Sequence, residues 1–192
     1  MDTHPSLIRR VRDNADTVAW GEFFSIYQPL ILAYARKRGA SEHDAADIVQ
    51  EVFARLVPAM AHFEFNAERG RFRTWLWSVT HNALVDWARR RATRDRAERV
   101  WADQNEFLAE SDESSDWYKM YHSRILQVAL ERVRASTQPL TWACFEGRIL
   151  AGRPASEVAS EAGVSVNAVY VNASRLLSRV REECSELQEP VK

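Results

Sequence analysis

The sequence has little of what would interrupt or cross-link a helical chain. Its 192 residues include six glycines, six prolines and two cysteines. Scarce glycine and proline favour long regular elements. Cys144 and Cys184 lie far apart and form no CxxC motif, so neither a zinc site nor a disulfide framework is expected.

Long apolar runs and a leader segment are missing as well. No stretch approaches the ~18 consecutive apolar residues of a membrane span. The first residues, MDTHPSLIRRVRDN, have no apolar signal-peptide core. We therefore expect a soluble, intracellular protein that does not insert into a membrane.

Charge of one sign is not in excess, because the formal net charge is −1. The distribution of charge is uneven, however. Residues 61–100 hold nine arginines against five acidic residues, whereas residues 101–120 hold six acidic residues against one lysine. A basic segment followed at once by an acidic one indicates a patterned chain, which the net charge conceals.

Strand-like alternation and internal repeats are also missing, which leaves helical periodicity as the main signal. Apolar residues recur at steps of three and four in Val18–Arg38 and in Ser41–Leu56. Gly39 suits the end of the first helix. Ser41 suits the N-cap of the second helix, with Asp44 three residues later.

A third helical segment, RFRTWLWSVTHNALVDWARRR, covers residues 71–91 and is rich in both tryptophan and arginine. Trp75 and Trp77 are two residues apart, about 200° on a helix, so they cannot both face one core. The predicted buried stripe comprises Phe72, Trp75, Leu76, Val79, Ala83 and Trp87. Trp77 then lies on the other side, near Arg73, His81 and Leu84. An aromatic ring beside cations suits stacking on bases or an apolar partner, and a plain amphipathic helix with a solvated end is the alternative.

The periodicity weakens over residues 93–116, where AESDESSD is acidic and rich in serine. It returns over residues 117–133 and 139–151. The predicted architecture is all-α, with two small helical domains joined by a flexible acidic linker. We place the domains at residues 1–95 and 119–187 and the linker at residues 96–118.

The stretch PASEVASEAGVSVNAVYVNASRLLSRVREE predicts a helix-turn-helix. Gly163 lies where the turn needs a positive φ, Val164 is an apolar plug, and Ser165 is an N-cap for the second helix. The predicted buried side of that helix is Val169, Leu176, Leu177 and Val180. Its exposed face offers groups suited to base edges and phosphates: Asn167, Tyr170, Asn172, Ser174, Arg175 and Arg179. An ordinary helical hairpin with a solvated face is the alternative.

The order of these segments resembles the extracytoplasmic-function (ECF) group of bacterial RNA polymerase sigma factors. The segments DAADIVQEVFARL and FRTWLWSVTHNALVDWARRR carry the resemblance together with the C-terminal helix-turn-helix, over about Val18–Glu183. The resemblance implies a region 2 domain for core polymerase and the −10 element, and a region 4 domain for the −35 element. Its implied partners are core RNA polymerase, through the β′ and β subunits, and promoter DNA. An anti-sigma protein is a further possible partner, and the location is the bacterial cytoplasm.

The resemblance also implies roles for residues of the first domain. Asp47, Gln50 and Glu51, which neighbour one another on one helix face, would bind a coiled coil of the β′ subunit; a solvated helix face is the alternative. The −10 element would meet Trp77, His81, Arg89, Arg90 and Arg91. The paired tryptophans of housekeeping sigma factors are replaced by Ser78 and Val79. Capture of a flipped base would therefore fall to a loop with Phe63, Phe65, Asn66, Arg69 and Arg71, unless its phenylalanines only staple two helices.

The acidic linker would thread the polymerase cleft in this reading, or serve only as a solvated tether. Two rival functions are weaker. A stand-alone helix-turn-helix regulator leaves the Asp47–Glu51 cluster and Trp77 without a role. An enzyme is not predicted, because His43–Asp44 has no further converging ligands and no phosphate loop or nucleophile motif is present. We expect no cofactor, metal or catalytic residue.

Overall fold

The computed structural model describes residues 7–63, 72–98 and 110–188, and this part of the chain contains helices and no strand. The prediction of an all-α fold is confirmed. The helices are α1 (Leu7–Arg10), α2 (Thr17–Lys37), α3 (Glu42–Met60), α4 (Phe72–Glu98), α5 (Glu110–Ala135), α6 (Pro139–Phe145), α7 (Ala155–Ala162) and α8 (Val166–Leu187). A π-helical turn, Glu146–Leu150, continues directly from α6.

The chain divides into two compact units, Met1–Arg124 and Ile125–Lys192. Helix α5 contributes its first part to one unit and its second part to the other. Within the predicted flexible linker at residues 96–118, residues 96–98 complete α4 and residues 110–118 begin α5. An acidic segment suits a helix N-terminus, because negative charges interact favourably with the positive end of the helix dipole. Residues 99–109 lie outside the described part.

Local signals set the ends of α2 and α3 as the sequence predicts. Gly39 follows α2 with a φ of 88°, a conformation that costs glycine little. The Asp44 amide donates to Ser41 Oγ at 3.1 Å, which caps α3. Asp16 caps α2 in the same way, accepting from the Ala19 amide at 2.8 Å.

The core of the first unit is made by the apolar stripes of α2, α3 and α4. Its largest fully buried side chains on these helices are Phe23, Ile26, Tyr27, Ile31, Tyr34, Ile48, Leu56, Met60, Phe72 and Leu76. Three predictions for α4 are wrong in detail. Trp75 and Val79 of the predicted buried stripe are half-buried, and Leu84, expected on the other side with Trp77, is buried. Leu84 lies at a small angle from the buried stripe of α4, so neighbouring side chains cover it. Residue spacing along the helix did not predict this burial.

The first part of α5 packs in the first unit. Trp117 is fully buried. Its ring meets Tyr34 edge-on at 5.1 Å, and its indole N–H donates to the Arg73 carbonyl at 3.3 Å. Tyr121 stacks on Tyr27 at 6.1 Å, and Arg124 Nε donates to the Ile26 carbonyl at 3.1 Å. These contacts pack residues 117–124 into the core of the first unit.

The second unit contains the predicted helix-turn-helix, α7 and α8. Gly163 ends α7 with a φ of 65°, and Ser165 Oγ accepts from the Ala168 amide at 3.1 Å to cap α8. Val164 packs against the buried cluster, as the plug prediction requires. That cluster is Cys144, Ala155, Val158, Ala159 and Val169. The prediction of a buried Leu177 is wrong, because its side chain is half-buried while Ala173 is buried instead.

Candidate binding surfaces

Helix α3 presents an exposed stripe opposite its buried side. Asp47, Gln50, Ala54 and Val57 are all exposed and follow one another at steps of three, four and three. The Asp47 side chain is 61% exposed, and its carboxylate lies 3.9 Å from His43 Nδ1. Two of the three predicted polymerase-binding residues, Asp47 and Gln50, therefore reach solvent. Ala54 and Val57 are exposed on the same stripe, although the sequence analysis did not name them as binding residues.

Glu51, the third residue of that set, is instead held by arginines. Its Oε2 accepts from Arg90 Nη2 at 2.6 Å, and its Oε1 accepts from Arg55 Nη2. The same Arg55 nitrogen donates to Asp86 Oδ2 at 2.8 Å. Arg55 lies on α3 with Glu51, whereas Asp86 and Arg90 lie on α4. The four side chains form one ion-pair network that joins the two helices, which we call the α3–α4 network.

The network lowers the pKa of its carboxylates. The hydrogen bond from Arg90 is the main cause that lowers the pKa of Glu51, and the hydrogen bond from Arg55 is the main cause for Asp86. A folded-state pKa below the unfolded value means that the interaction stabilises the fold above the unfolded pKa. That contribution is lost as the pH falls through the folded pKa.

Trp77 and His81 form a stacked pair on α4, with ring centroids 5.0 Å apart and an interplanar angle of 22°. Both side chains are half-buried. Within the part of the chain that the structure describes, Trp77 Nε1 is buried without a hydrogen-bond partner. Arg73, expected beside this pair, lies over the Tyr118 ring of α5 at 5.5 Å. The predicted aromatic and cationic groups are thus close in sequence, but Arg73 is engaged elsewhere.

The three arginines near the end of α4 have different surroundings. Arg89 is exposed, Arg90 belongs to the α3–α4 network, and the Arg91 guanidinium lies 5.5 Å from the Trp87 ring centroid. The run of basic residues in the sequence therefore does not give three equivalent cations.

Most of the predicted base-capture loop, namely Phe65, Asn66, Arg69 and Arg71, lies outside the described residues. Phe63 is described and half-buried. Its ring packs 4.8 Å from Trp75 and 5.7 Å from Phe72. At this one position, the contacts match the stapling alternative, because Phe63 ties the end of α3 to the start of α4.

The α8 face divides into two groups. Asn167, Tyr170, Ser174 and Arg175 are exposed. Asn172 is half-buried, with its Nδ2 3.9 Å from Cys144 Sγ. Arg179 is half-buried and donates to Ser136 Oγ at 2.8 Å and to Thr137 Oγ1 at 3.3 Å. These last two of the six predicted DNA-contacting residues hold the second unit together in this structure.

A residue that the sequence analysis missed lies beside Tyr170. Arg148, in the π-helical turn, has its guanidinium 5.8 Å from the Tyr170 ring centroid. Nothing in the sequence links the two, because they are brought together by the packing of that turn against α8. The preceding residue, Gly147, lets the same turn approach α7 closely, since a Cβ there would lie 2.8 Å from Val158 Cγ2.

The chain is similar in sequence to known proteins of one family. A family model described as Sigma-70 region 2 matches residues 23–94. The ECF RNA polymerase sigma factor RpoE of Cereibacter sphaeroides is 24% identical over 181 residues, covering 94% of each chain. The ECF RNA polymerase sigma factor SigE of Mycolicibacterium smegmatis is 25% identical over 170 residues, covering 88% of this chain and 63% of that relative. Over nearly its whole length the chain is similar to ECF RNA polymerase sigma factors, and its residues 23–94 match the region 2 family.

This similarity supports a role in transcription initiation. A solved structure titled "Structure of CnrH in complex with the cytosolic domain of CnrY" has 19% sequence identity to this chain and a TM-score of 0.37, covering 92% of this chain and 93% of that one. Among the described residues, no helix is long and apolar enough to cross a membrane. Nor does that part of the chain bring together three or more His, Cys, Asp or Glu side chains able to hold a metal ion.

Proposed function

We propose that this chain is a sigma factor that binds core RNA polymerase through α3 and directs it to promoters, reading the −35 element with α8 and capturing the −10 element beside α4. The observation that carries the proposal is the exposed stripe of α3, which the unit's own core does not use. A regulator that acted without polymerase would have no need of it. Helix α8, the second helix of the helix-turn-helix, is by itself compatible with either function.

The spacing of the stripe supports a helical partner. Steps of three, four and three place Asp47, Gln50, Ala54 and Val57 along one seam, as in the a and d positions of a coiled coil. The small side chain of Ala54 allows a partner helix to approach closely, while Val57, 40% exposed, offers apolar contact. A coiled coil of the β′ subunit fits this pattern. Glu51 stands beside the seam and is available to such a partner only in competition with Arg90 and Arg55.

The geometry of α8 supports duplex reading at the −35 element. A capped helix start lets the first turns of a recognition helix enter the major groove. Asn167, Tyr170, Ser174 and Arg175 are exposed over those turns. Arg148, beside Tyr170, adds a cation at the rim that suits a backbone phosphate. Asn172 and Arg179 would contribute to binding chiefly by fixing α8 in its domain.

For the −10 element we propose the surface around Trp77, His81 and Arg89. A stacked Trp–His pair can offer a ring face to an unpaired base, and an exposed arginine suits a phosphate. The loop with Phe65, Asn66, Arg69 and Arg71 would supply base capture.

We further propose the β subunit as a second polymerase contact. We also propose an anti-sigma protein as a regulator, since an inhibitor that covers the α3 stripe would exclude polymerase.

The test is promoter-specific transcription with bacterial core polymerase, comparing wild type with Gln50→Arg. A bulky cation in the centre of the stripe should lower affinity for core by about tenfold or more and reduce transcription in parallel. Ala33→Arg is the matched control, because it adds the same side chain at an exposed position of α2. If Gln50→Arg binds core and transcribes as Ala33→Arg does, α3 is not the polymerase surface. Tight, specific binding of duplex DNA without core would favour the stand-alone regulator.

A further inference from the structure

We infer that the Glu51–Arg90 ion pair couples polymerase binding to DNA binding: a partner that engages Glu51 releases Arg90 to a DNA phosphate. The inference rests on the proposed function, because it joins its α3 and α4 surfaces. Glu51 belongs to the set proposed for polymerase, and Arg90 to the set proposed for the −10 strand. In the free chain the two side chains neutralise each other, at 2.6 Å.

Both carboxylate oxygens of Glu51 already accept hydrogen bonds from arginines. Oε2 accepts from Arg90 and Oε1 accepts from Arg55. The Glu51 side chain is nevertheless 27% exposed, so a donor or cation on a partner can reach it. Ion pairs at the surface are weak individually. A protein interface that engages Glu51 can therefore displace one of its arginines.

The displaced arginine is Arg90, because the two arginines are not equally held. Arg55 also donates to Asp86 at 2.8 Å, so it keeps a carboxylate when Glu51 turns away. Arg90 is already 54% exposed and would lose the carboxylate that it pairs with. Arg90 directly follows Arg89 in the chain, and its released guanidinium can form a bidentate contact with phosphate.

The coupling must act in both directions. If engagement of Glu51 raises the affinity of α4 for DNA, engagement of Arg90 by DNA raises the affinity of α3 for its partner by the same factor. The free sigma factor would then bind single strands weakly through α4, and core polymerase would strengthen that binding without touching the DNA contact itself.

The experiment uses the full chain without polymerase and a fluorescent, mixed-sequence single-stranded DNA of about 12 nucleotides. Glu51→Gln keeps the shape of the side chain and removes the charge that holds Arg90. We expect it to bind this DNA about threefold to tenfold more tightly than wild type, as one added charge-assisted contact gives. The slope of log affinity against log salt should steepen by about 0.7, the value for one more phosphate on a single strand.

Three further variants separate the explanations. Glu42→Gln removes a charge from an exposed position of α3 outside the network, so it reports the effect of net charge alone. Glu51→Gln with Arg90→Gln should lose the gain entirely. Arg89→Gln removes an exposed arginine of the proposed −10 surface and should weaken binding. Circular dichroism of each variant checks that its helices are retained.

The outcomes distinguish the inference from the function beneath it. If Arg89→Gln weakens binding but Glu51→Gln behaves like Glu42→Gln, the coupling is wrong and the −10 surface stands. A gain in Glu51→Gln that survives Arg90→Gln also overturns the coupling. If Arg89→Gln has no effect, α4 is not the DNA surface, and both the −10 proposal and the coupling fail.

Discussion

At the scale of single residues, the structure assigns partners that the sequence could not. Helix geometry correctly places Asp47 and Gln50 near one another in solvent. It cannot show that Glu51 pairs with Arg90, because 39 positions separate them and only the packing of α3 on α4 brings them together. The exposure of a polar residue is thus predictable from periodicity, whereas its charge partner depends on tertiary structure.

The same distinction narrows the proposed −35 surface to residues whose side chains do not bind other parts of the second unit. Arg175 is exposed on α8, unlike Arg179, which donates to Ser136 and Thr137. A bidentate arginine–guanine contact contributes about 1–3 kcal/mol of discrimination. We expect Arg175→Ala to lower affinity for the −35 duplex by that amount and to relax base preference at one position, measured by competition among point-substituted duplexes with the holoenzyme.

Arg181→Ala is the control for that measurement, since Arg181 is exposed on the same helix six residues later, about 240° around the helix axis from Arg175. It should change affinity little and leave base preference as it is. Retention of the wild-type preference by Arg175→Ala would remove Arg175 from the reading surface, whatever its effect on affinity.

At the scale of elements, boundaries with local signals are predicted well and those set by packing are not. Ser41, Ser165 and Gly163 act through neighbours within a few residues, and each takes its predicted role. Helix α5 begins at Glu110 rather than near Trp117, because its first turns have no apolar stripe to announce them. The π-helical turn before Gly152 also has no signature in the pattern of apolar residues.

The N-cap of α8 gives a prediction at this scale. Ser165 Oγ accepts from the Ala168 amide at 3.1 Å, and loss of such a cap costs about 0.5–2 kcal/mol. Ser165→Ala should lower the free energy of unfolding of the second unit by about 1 kcal/mol, measured by denaturant titration. Ser178→Ala, at an exposed position within α8, should be neutral or slightly stabilising because alanine favours helix. Equal effects of the two changes would mean that the cap does not stabilise the domain.

At the scale of the whole molecule, two helical units were predictable but their boundary was not. Residues 96–118 differ in charge and composition from the segments on either side, and the sequence analysis interpreted them as a linker. The structure instead ends the first unit at Arg124. Trp117 and Tyr121, both buried, decide the difference: their partners Tyr34 and Tyr27 lie on α2, more than 80 residues earlier in the chain.

The division into units predicts that two buried tryptophans stabilise different parts of the protein. Trp117 is fully buried in the first unit, and Trp142, 8% exposed, packs on Phe145 in the second at 5.3 Å. Truncation of a buried tryptophan to alanine costs about 3–5 kcal/mol. We expect Trp117→Ala to accelerate hydrogen exchange of amides in α2 and α4, with α8 unchanged, because units with separate cores open separately.

Trp142→Ala should show the reverse pattern, with faster exchange in α7 and α8 and unchanged protection in α2. The two variants control for each other, because each removes the same side chain from a buried site. If either variant loses protection equally in α2 and α8, the chain unfolds as one cooperative body. If Trp117→Ala loses protection only in α7 and α8, Trp117 stabilises the second unit rather than the first.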